Sequence, residues 1–212
     1  MLGAPNCAGR ARVVHESSVT GGPLASGFNA VALLLMLVFA LKGALFPLWF
    51  WLPDSYWSLP SCIGAMFGGL LSKVGVYAVL RLYPMILSGP NDGTGTAMTT
   101  ILPIAAGATM VIAIIGAIGT RRIRRLLCYV LISHVGYLVF GVLMLRDASF
   151  SASLHYMTQE MLVIAGLFLV CGLIERIAGT DDLQELGGLY RRSPVLAGIA
   201  FVLLMSLAGI PP

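Results

Sequence analysis

The sequence predicts an all-α integral membrane protein of about six transmembrane helices. Three observations carry this. The chain is 58% hydrophobic and 10% charged, with a mean hydropathy of +0.92, whereas a soluble domain carries about 25% charged residues. Its apolar residues come in long continuous runs. Barrel strands would be about ten residues long and would alternate in polarity, so helices are the better reading. Finally, the runs are separated by short stretches rich in Pro, Gly and charge, such as "LPDSYWSLPS", "SGPNDGTGT" and "TRRIRR".

Residues 1–27 form a polar, unassigned segment. It contains Arg10, Arg12, His15 and Glu16 but no apolar core, so it is not a secretory signal. Residues 28–212 form the membrane domain, with spans expected at about 28–52, 63–83, 99–120, 126–145, 153–174 and 194–212. Each is long enough, or nearly so, to cross about 30 Å of hydrocarbon. The longest connection, "ERIAGTDDLQELGGLYRRSP", has room for a short surface helix. The last span ends "SLAGIPP". The tandem Pro211 and Pro212, two residues after Gly209, break a helix, and transporters place such breaks near the membrane centre. A chain that stops at its break is expected to be a fragment, or a short form, of a larger protein.

The formal net charge is +4. Its basic residues cluster between apolar spans, which is a topology signal and not a nucleic-acid surface. If all six spans cross, one side holds Arg10, Arg12, Arg81 and Arg146. The other holds Arg121, Arg122, Arg124, Arg125, Arg176, Arg191 and Arg192, and is expected to be cytoplasmic. Cys7, Cys62, Cys128 and Cys171 form no CxxC pair and fit no zinc or haem spacing, so neither a metal nor a disulfide framework is expected. No nucleotide, flavin or iron–sulfur motif is present either, so no cofactor is expected.

The charged residues inside the spans point to function. A lysine at a span centre costs about 2.5–3.5 kcal/mol on insertion scales. Lys42 lies ten or more residues from either end of the 28–52 span, about 15 Å along a helix, too far for its side chain to reach the headgroups. Pro47 follows five residues later and weakens the helix ladder there. A basic group beside freed carbonyls reads as an ion or proton site. Lys73, in "FGGLLSKVGVYAVL", repeats the pattern, and Gly68, Gly69, Ser72 and Gly75 around it let a neighbouring helix approach. Burial penalises the charged form of a lysine, so a proton can be loaded and released there.

His134, in "CYVLISHVGYLVF", is either a proton relay or a histidine bonded to a neighbouring carbonyl. Glu160, in "HYMTQEMLVIAGLF", is an intramembrane acid and so a functional residue by default. His155 lies nearer its span end and reads as interfacial. Lys42, Lys73, His134 and Glu160 sit in four different spans and together suggest a hydrophilic axis of coupled proton sites. A structural salt-bridge network is the alternative.

The ordered set "ALKGALFPLWFWLPDSY", "GLLSKVGVYAVLRLY", "RRIRRLLCYVLISHVGY", "DLQELGGL" and "SLAGIPP" resembles the antiporter-like membrane subunits over about residues 28–212. That group includes the D-type subunit of the Mrp-type (Mnh/Pha) multisubunit sodium/proton antiporter, to which "LPDSY" and "LLSKVGVYA" are most similar. It also includes the proton-pumping subunits of NADH:quinone oxidoreductase. The resemblance implies a fourteen-helix bundle with broken helices, of which this chain holds the seventh to the start of the twelfth. It places Lys42 on the lysine of the broken seventh helix, Lys73 on that of the eighth, and His134 on the histidine of "SHxGY". It implies partner subunits in a bacterial inner (plasma) membrane complex, a lipid bilayer around it, and protons and monovalent cations such as sodium as cargo.

The departures are specific. Where the family has "HHxxxK" in the eleventh helix, this chain has Gln159, Glu160 and Ile164. The family's glutamate partner for Lys42 falls upstream of residue 1, and the charged residue of the twelfth helix falls after Pro212. The chain alone is therefore expected to lack transport activity. Three readings follow: a subunit of a monovalent cation/proton antiporter, a proton-translocating subunit of an NADH:quinone oxidoreductase-like complex, or a non-transporting scaffold. The first is a transporter subunit and not an enzyme; the second would count the chain within an enzyme complex, though not as its redox catalyst.

Overall fold

The computed structural model describes residues 23–87, 94–144 and 147–209. Among them, regular structure is helical, apart from one isolated bridge between Arg122 and Asp182. In chain order the helices are α1 (Pro23–Lys42), α2 (Trp51–Trp57), α3 (Ser61–Met66), a π-helical turn (Phe67–Leu71), α4 (Ser72–Leu87), α5 (Thr94–Ile118), α6 (Ile123–Leu143), α7 (Asp147–Ala178), α8 (Leu189–Arg192) and α9 (Pro194–Leu207). Pro211, Pro212 and residues 1–22 lie outside the described residues.

Four helical stretches are long and apolar enough to cross a membrane: Ser61–Pro84, Thr99–Ile118, Ile123–Leu143 and Ser151–Ala178. The first is one rod made of α3, the π turn and α4. Two shorter apolar helices, Ala30–Lys42 and Pro194–Leu207, flank them. Helical architecture and multiple spans thus follow the sequence reading, but four spans are found by length and composition where six were expected. The difference falls at the two ends of the described chain. In particular, 28–52 is not one helix, because α1 stops at Lys42 and α2 begins at Trp51.

The stop at Lys42 has a local cause. Leu45 N–H donates to Ala40 O at 3.0 Å, and Ala44 N–H donates to Leu41 O at 3.1 Å. That pair of bonds is a Schellman closure, which needs a left-handed residue just past the helix. Ala44 takes that conformation, with φ 59°, although glycine is the usual choice. Gly43, one residue earlier, is occupied otherwise. A Cβ on Gly75 of α4 would lie 2.8 Å from Gly43 N and 3.0 Å from Phe39 O. The two glycines thus let α1 and α4 cross almost backbone to backbone, the small-residue contact that membrane helices use in place of hydrophobic driving force. The Phe46–Pro47 peptide bond is cis. Phe46 N–H donates to Thr109 Oγ1 of α5 at 2.8 Å, which ties the irregular segment to the bundle.

The core lies where the α3–α4 rod, α6 and α7 meet. Leu131, Ile132 and Val135 of α6 and Ile164 and Phe168 of α7 are buried there. Phe168 fills the space left by Gly64 and Gly68, against which a Cβ would sit at 3.2 and 2.8 Å. Gly69 faces Met161 O and Ala165 of the same helix. The π turn spans Gly68 and Gly69, and Tyr56 of α2 braces it: its hydroxyl donates to Phe67 O at 3.3 Å and lies 3.3 Å from Ser72 Oγ. The outward faces remain apolar, with Ile104, Ile115, Ile118, Leu162 and Phe201 exposed. Such faces suit contact with lipid or with neighbouring apolar helices.

The basic cluster between α5 and α6 is built into the fold. Arg124 Nε donates to Glu175 Oε1 at 2.6 Å, and its Nη2 also bonds Glu175 Oε2. Its Nη1 donates to Leu59 O at 2.7 Å and Nη2 to Ser61 Oγ at 3.0 Å. One guanidinium therefore joins the starts of α3 and α6 to the end of α7. In sequence the cluster is a topology signal; the fork geometry of arginine makes Arg124 a clamp as well. The expected short helix in the long connection is the single turn α8.

Candidate functional site

The centre of the site is an ion pair. Lys73 is the second residue of α4, just past the π turn, and Glu160 lies halfway along α7. Lys73 Nζ donates to Glu160 Oε1 at 2.5 Å, and the two side chains are 0% and 1% exposed. Gly69, one turn before Lys73, brings the rod against Met161 and Ala165, and this close approach lets the lysine reach across. Each charge here is tolerable because the other is present, since an unpaired buried ion is strongly unfavourable. Glu160 Oε2 is also buried and makes no hydrogen bond.

A second pair adjoins the first. His134 of α6 bonds Tyr156 Oη through Nδ1. The two rings lie nearly parallel, 4° between planes and 5.8 Å between centroids. Tyr137 packs edge-on to Tyr156 with centroids 5.2 Å apart. Tyr156 and Glu160 are four residues apart on α7 and share a face. Tyr156 and Glu160 also line the same narrow void. The four groups form one continuous polar stretch from α4 through α7 to α6.

An open cleft of about 320 Å³ reaches this stretch, lined by Met110, Ser133, His134, Tyr137, Tyr156 and the end of α9 at Leu207–Gly209. That volume holds several waters. A narrow second void, with no room for a free water, continues from Tyr156 and Leu207 to Gln159, Glu160 and Ser206. Gln159 Nε2 donates to Ser206 O and Ser206 Oγ, both at 3.1 Å, and bridges α7 to α9.

Lys42 stands apart. It is half-buried at the last turn of α1, where a cation suits the helix dipole, and it makes no side-chain hydrogen bond or ion pair among the described residues. Pro47 lies beyond the helix end, so it removes no bond from the α1 ladder. The carbonyls of that last turn are engaged: Phe39 O by Gly43 N–H, Ala40 O by Leu45 N–H, and Leu41 O by Ala44 N–H and Trp51 Nε1. The mid-span position expected for Lys42 is therefore replaced by a helix-end position. Of the four expected relay residues, the structure brings Lys73, Glu160 and His134 together and leaves Lys42 outside. His155 is exposed.

Nothing in the sequence singles out Tyr156 except its four-residue spacing to Glu160 in "HYMTQE". The Gln159–Ser206 bridge has no signal at all, because it spans 47 residues of sequence.

This geometry has relatives. The family described as NADH:quinone oxidoreductase/Mrp antiporter, TM matches residues 6–212. The chain belongs to this family. It is 42% identical to the D-type Na(+)/H(+) antiporter subunit of Alkalihalophilus pseudofirmus, over 100% of this chain and 41% of that protein. The chain thus spans about two-fifths of the length of that relative. Among solved structures, the Mrp complex from Dietzia sp. DQ12-45-1b superposes with a TM-score of 0.76 at 33% identity, covering 86% of this chain and 33% of that one. Respiratory complex I from Thermus thermophilus with bound NADH also gives 0.76, at 29% identity, covering 85% and 38%.

Proposed function

We propose that this chain forms part of a membrane subunit of a monovalent cation/proton antiporter, in which Lys73, Glu160, Tyr156 and His134 pass protons between the cleft and the bundle centre. The observation that carries this reading is the fully buried Lys73–Glu160 pair, adjoining a histidine–tyrosine pair at a cleft with room for water. A scaffold needs no unpaired carboxylate oxygen and no ionisable groups in series. Lys42 serves as a separate cationic site at the end of α1, to be joined to the others by residues beyond this chain. The six expected spans would belong to a fourteen-helix bundle in the inner membrane, with further subunits beside it. Two relatives named or solved as parts of Na(+)/H(+) antiporter and Mrp assemblies support this reading.

The likeness to complex I favours a second reading, in which the same groups pump protons under redox drive. Inverted membrane vesicles containing the complex separate the two. Under the antiporter reading, sodium added to respiring vesicles collapses the proton gradient, and Lys73→Ala abolishes that response. Under the redox reading, the complex itself supports NADH-driven proton uptake that Lys73→Ala removes. If Lys73→Ala leaves both responses intact, the proton-carrying reading is wrong.

A further inference from the structure

The Lys73 ammonium holds Oε1 of Glu160 and leaves the other oxygen of the carboxylate without a donor. Oε2 belongs to a residue that is 2% exposed, and it receives no hydrogen bond. Glu160 lines the narrow void whose other walls are Tyr156, Gln159, Val163, Ser206 and Leu207. Across that void α9 is ending. Its last turn offers two oxygens, Ser206 O and Ser206 Oγ, both held by the Gln159 amide, with Ser206 O also accepting from Gly209 N–H at 3.1 Å. These donors are a carboxylate, a hydroxyl, a carbonyl and a side-chain amide. No sulfur or imidazole takes part, so the set suits a hard cation, and its single carboxylate, now balanced by one ammonium, matches one positive charge. A helix C-terminus adds a negative dipole end, as in the broken helices that bind ions in transporters.

We propose that Glu160 Oε2 and the two Ser206 oxygens form a binding site for a monovalent alkali cation, and that this cation competes with the Lys73 ammonium for the one carboxylate. Gln159 turns aside on binding and offers its Oε1 as a further ligand. This deepens the antiporter reading and rests on it. In one state the Glu160 carboxylate is balanced by the Lys73 ammonium. In the other, sodium balances it, and Lys73 has passed its proton to water in the cleft beside His134, leaving a neutral amine and a hydronium ion. The buried cluster has the same net charge in both states, so neither ion can leave without the other arriving, which is the condition for exchange. The titratable groups around the carboxylate are Lys73 from α4, bonded to it, and Tyr156 from α7, which lines the same void, with His134 of α6 and Tyr137 beyond, in contact with Tyr156. Among the described residues α9 contributes Ser206 and no titratable group.

The test measures radioactive sodium binding, and proton release in weak buffer, on the purified membrane complex containing this chain. The expected result is that a proton appears for each sodium bound. Lys73→Met then removes the proton release and tightens sodium binding about tenfold, because a competing cation is gone. Ser206→Ala weakens binding about tenfold and keeps the exchange. Ser206→Ala is a conservative change on a short helix, so it keeps the test decisive if Lys73→Met fails to assemble. Sodium affinity unchanged in either assembled variant overturns the site. Sodium-driven proton flux, measured in vesicles in parallel, separates the two levels. If flux persists while affinity ignores both substitutions, the site is wrong and the antiporter reading stands. If flux is absent, the antiporter reading falls and this site falls with it.

Discussion

Lys73 Nζ sits 2.5 Å from Glu160 Oε1 with both side chains out of reach of solvent, although the two residues are 87 positions apart in the chain. Removing one partner strands the other. Lys73→Ala should therefore cost about 3–5 kcal/mol of stability, whereas replacing both partners, Lys73→Met with Glu160→Leu, should recover most of that loss. Neither variant should move protons. Thermal unfolding of the complex in detergent, read beside vesicle flux, checks this. A double variant as unstable as the single one would show that the pair is not energetically coupled.

The His134–Tyr156 contact gives a milder expectation. Tyr156→Phe keeps the ring, its stacking on His134 and its edge contact with Tyr137, and deletes one hydroxyl. One lost hydrogen bond to a half-buried histidine costs about 1 kcal/mol, so the fold should survive. Proton transfer between the cleft and Glu160 should slow about tenfold or more, since positioned proton donors and acceptors contribute about 10²–10⁴ in rate. Flux in Tyr156→Phe vesicles equal to that of the unchanged protein would take Tyr156 out of the path.

Much of this arrangement is legible in the sequence, for a simple reason. Charges inside apolar runs are expensive, so Lys73 and Glu160 announce themselves without any knowledge of which helices touch. What stays hidden is of two kinds. Tyr156 is a residue that apolar helices carry freely, and only its partner 22 positions away gives it meaning. Lys42 reads as a mid-span residue because its run of apolar residues continues past the helix end. The Schellman closure at Ala40–Leu45 uses alanine where glycine would have signalled a stop, and the adjacent glycine is committed to the crossing with Gly75. Arg124 is hidden by its neighbours, since a run of arginines reads as topology until one of them proves to be clamped against Glu175.

The α1–α4 crossing is itself testable. A methyl group on Gly75 would meet Gly43 N at 2.8 Å and Phe39 O at 3.0 Å. Both are backbone atoms that cannot turn away, so Gly75→Ala should push the helices apart at a cost of about 1–3 kcal/mol. Ala44→Gly should act in the opposite direction. It relieves a left-handed alanine and should stabilise the end of α1 by up to about 1 kcal/mol. Unfolding midpoints of the two variants should move to opposite sides of the parent value. Gly75→Ala with an unchanged midpoint would mean that the helices do not meet there.

The two neighbouring arginines 124 and 125 make the sharpest contrast in the molecule. Arg125 pairs with Asp54 at the surface, where the partners are 41% and 69% exposed. Such a pair contributes about 0–1 kcal/mol and is screened by salt. Arg124 engages both Glu175 oxygens, Leu59 O and Ser61 Oγ with its side chain 20% exposed. Its loss leaves a carboxylate and a carbonyl without donors at the junction of three helices. Arg125→Ala should therefore shift the unfolding midpoint little, and less at high salt, while Arg124→Ala should cost about 3 kcal/mol at any ionic strength. Arg124→Lys supplies charge without the planar fork and should recover only part of the loss. Equal shifts for the two alanine variants would show that Arg124 is a topology signal and nothing more.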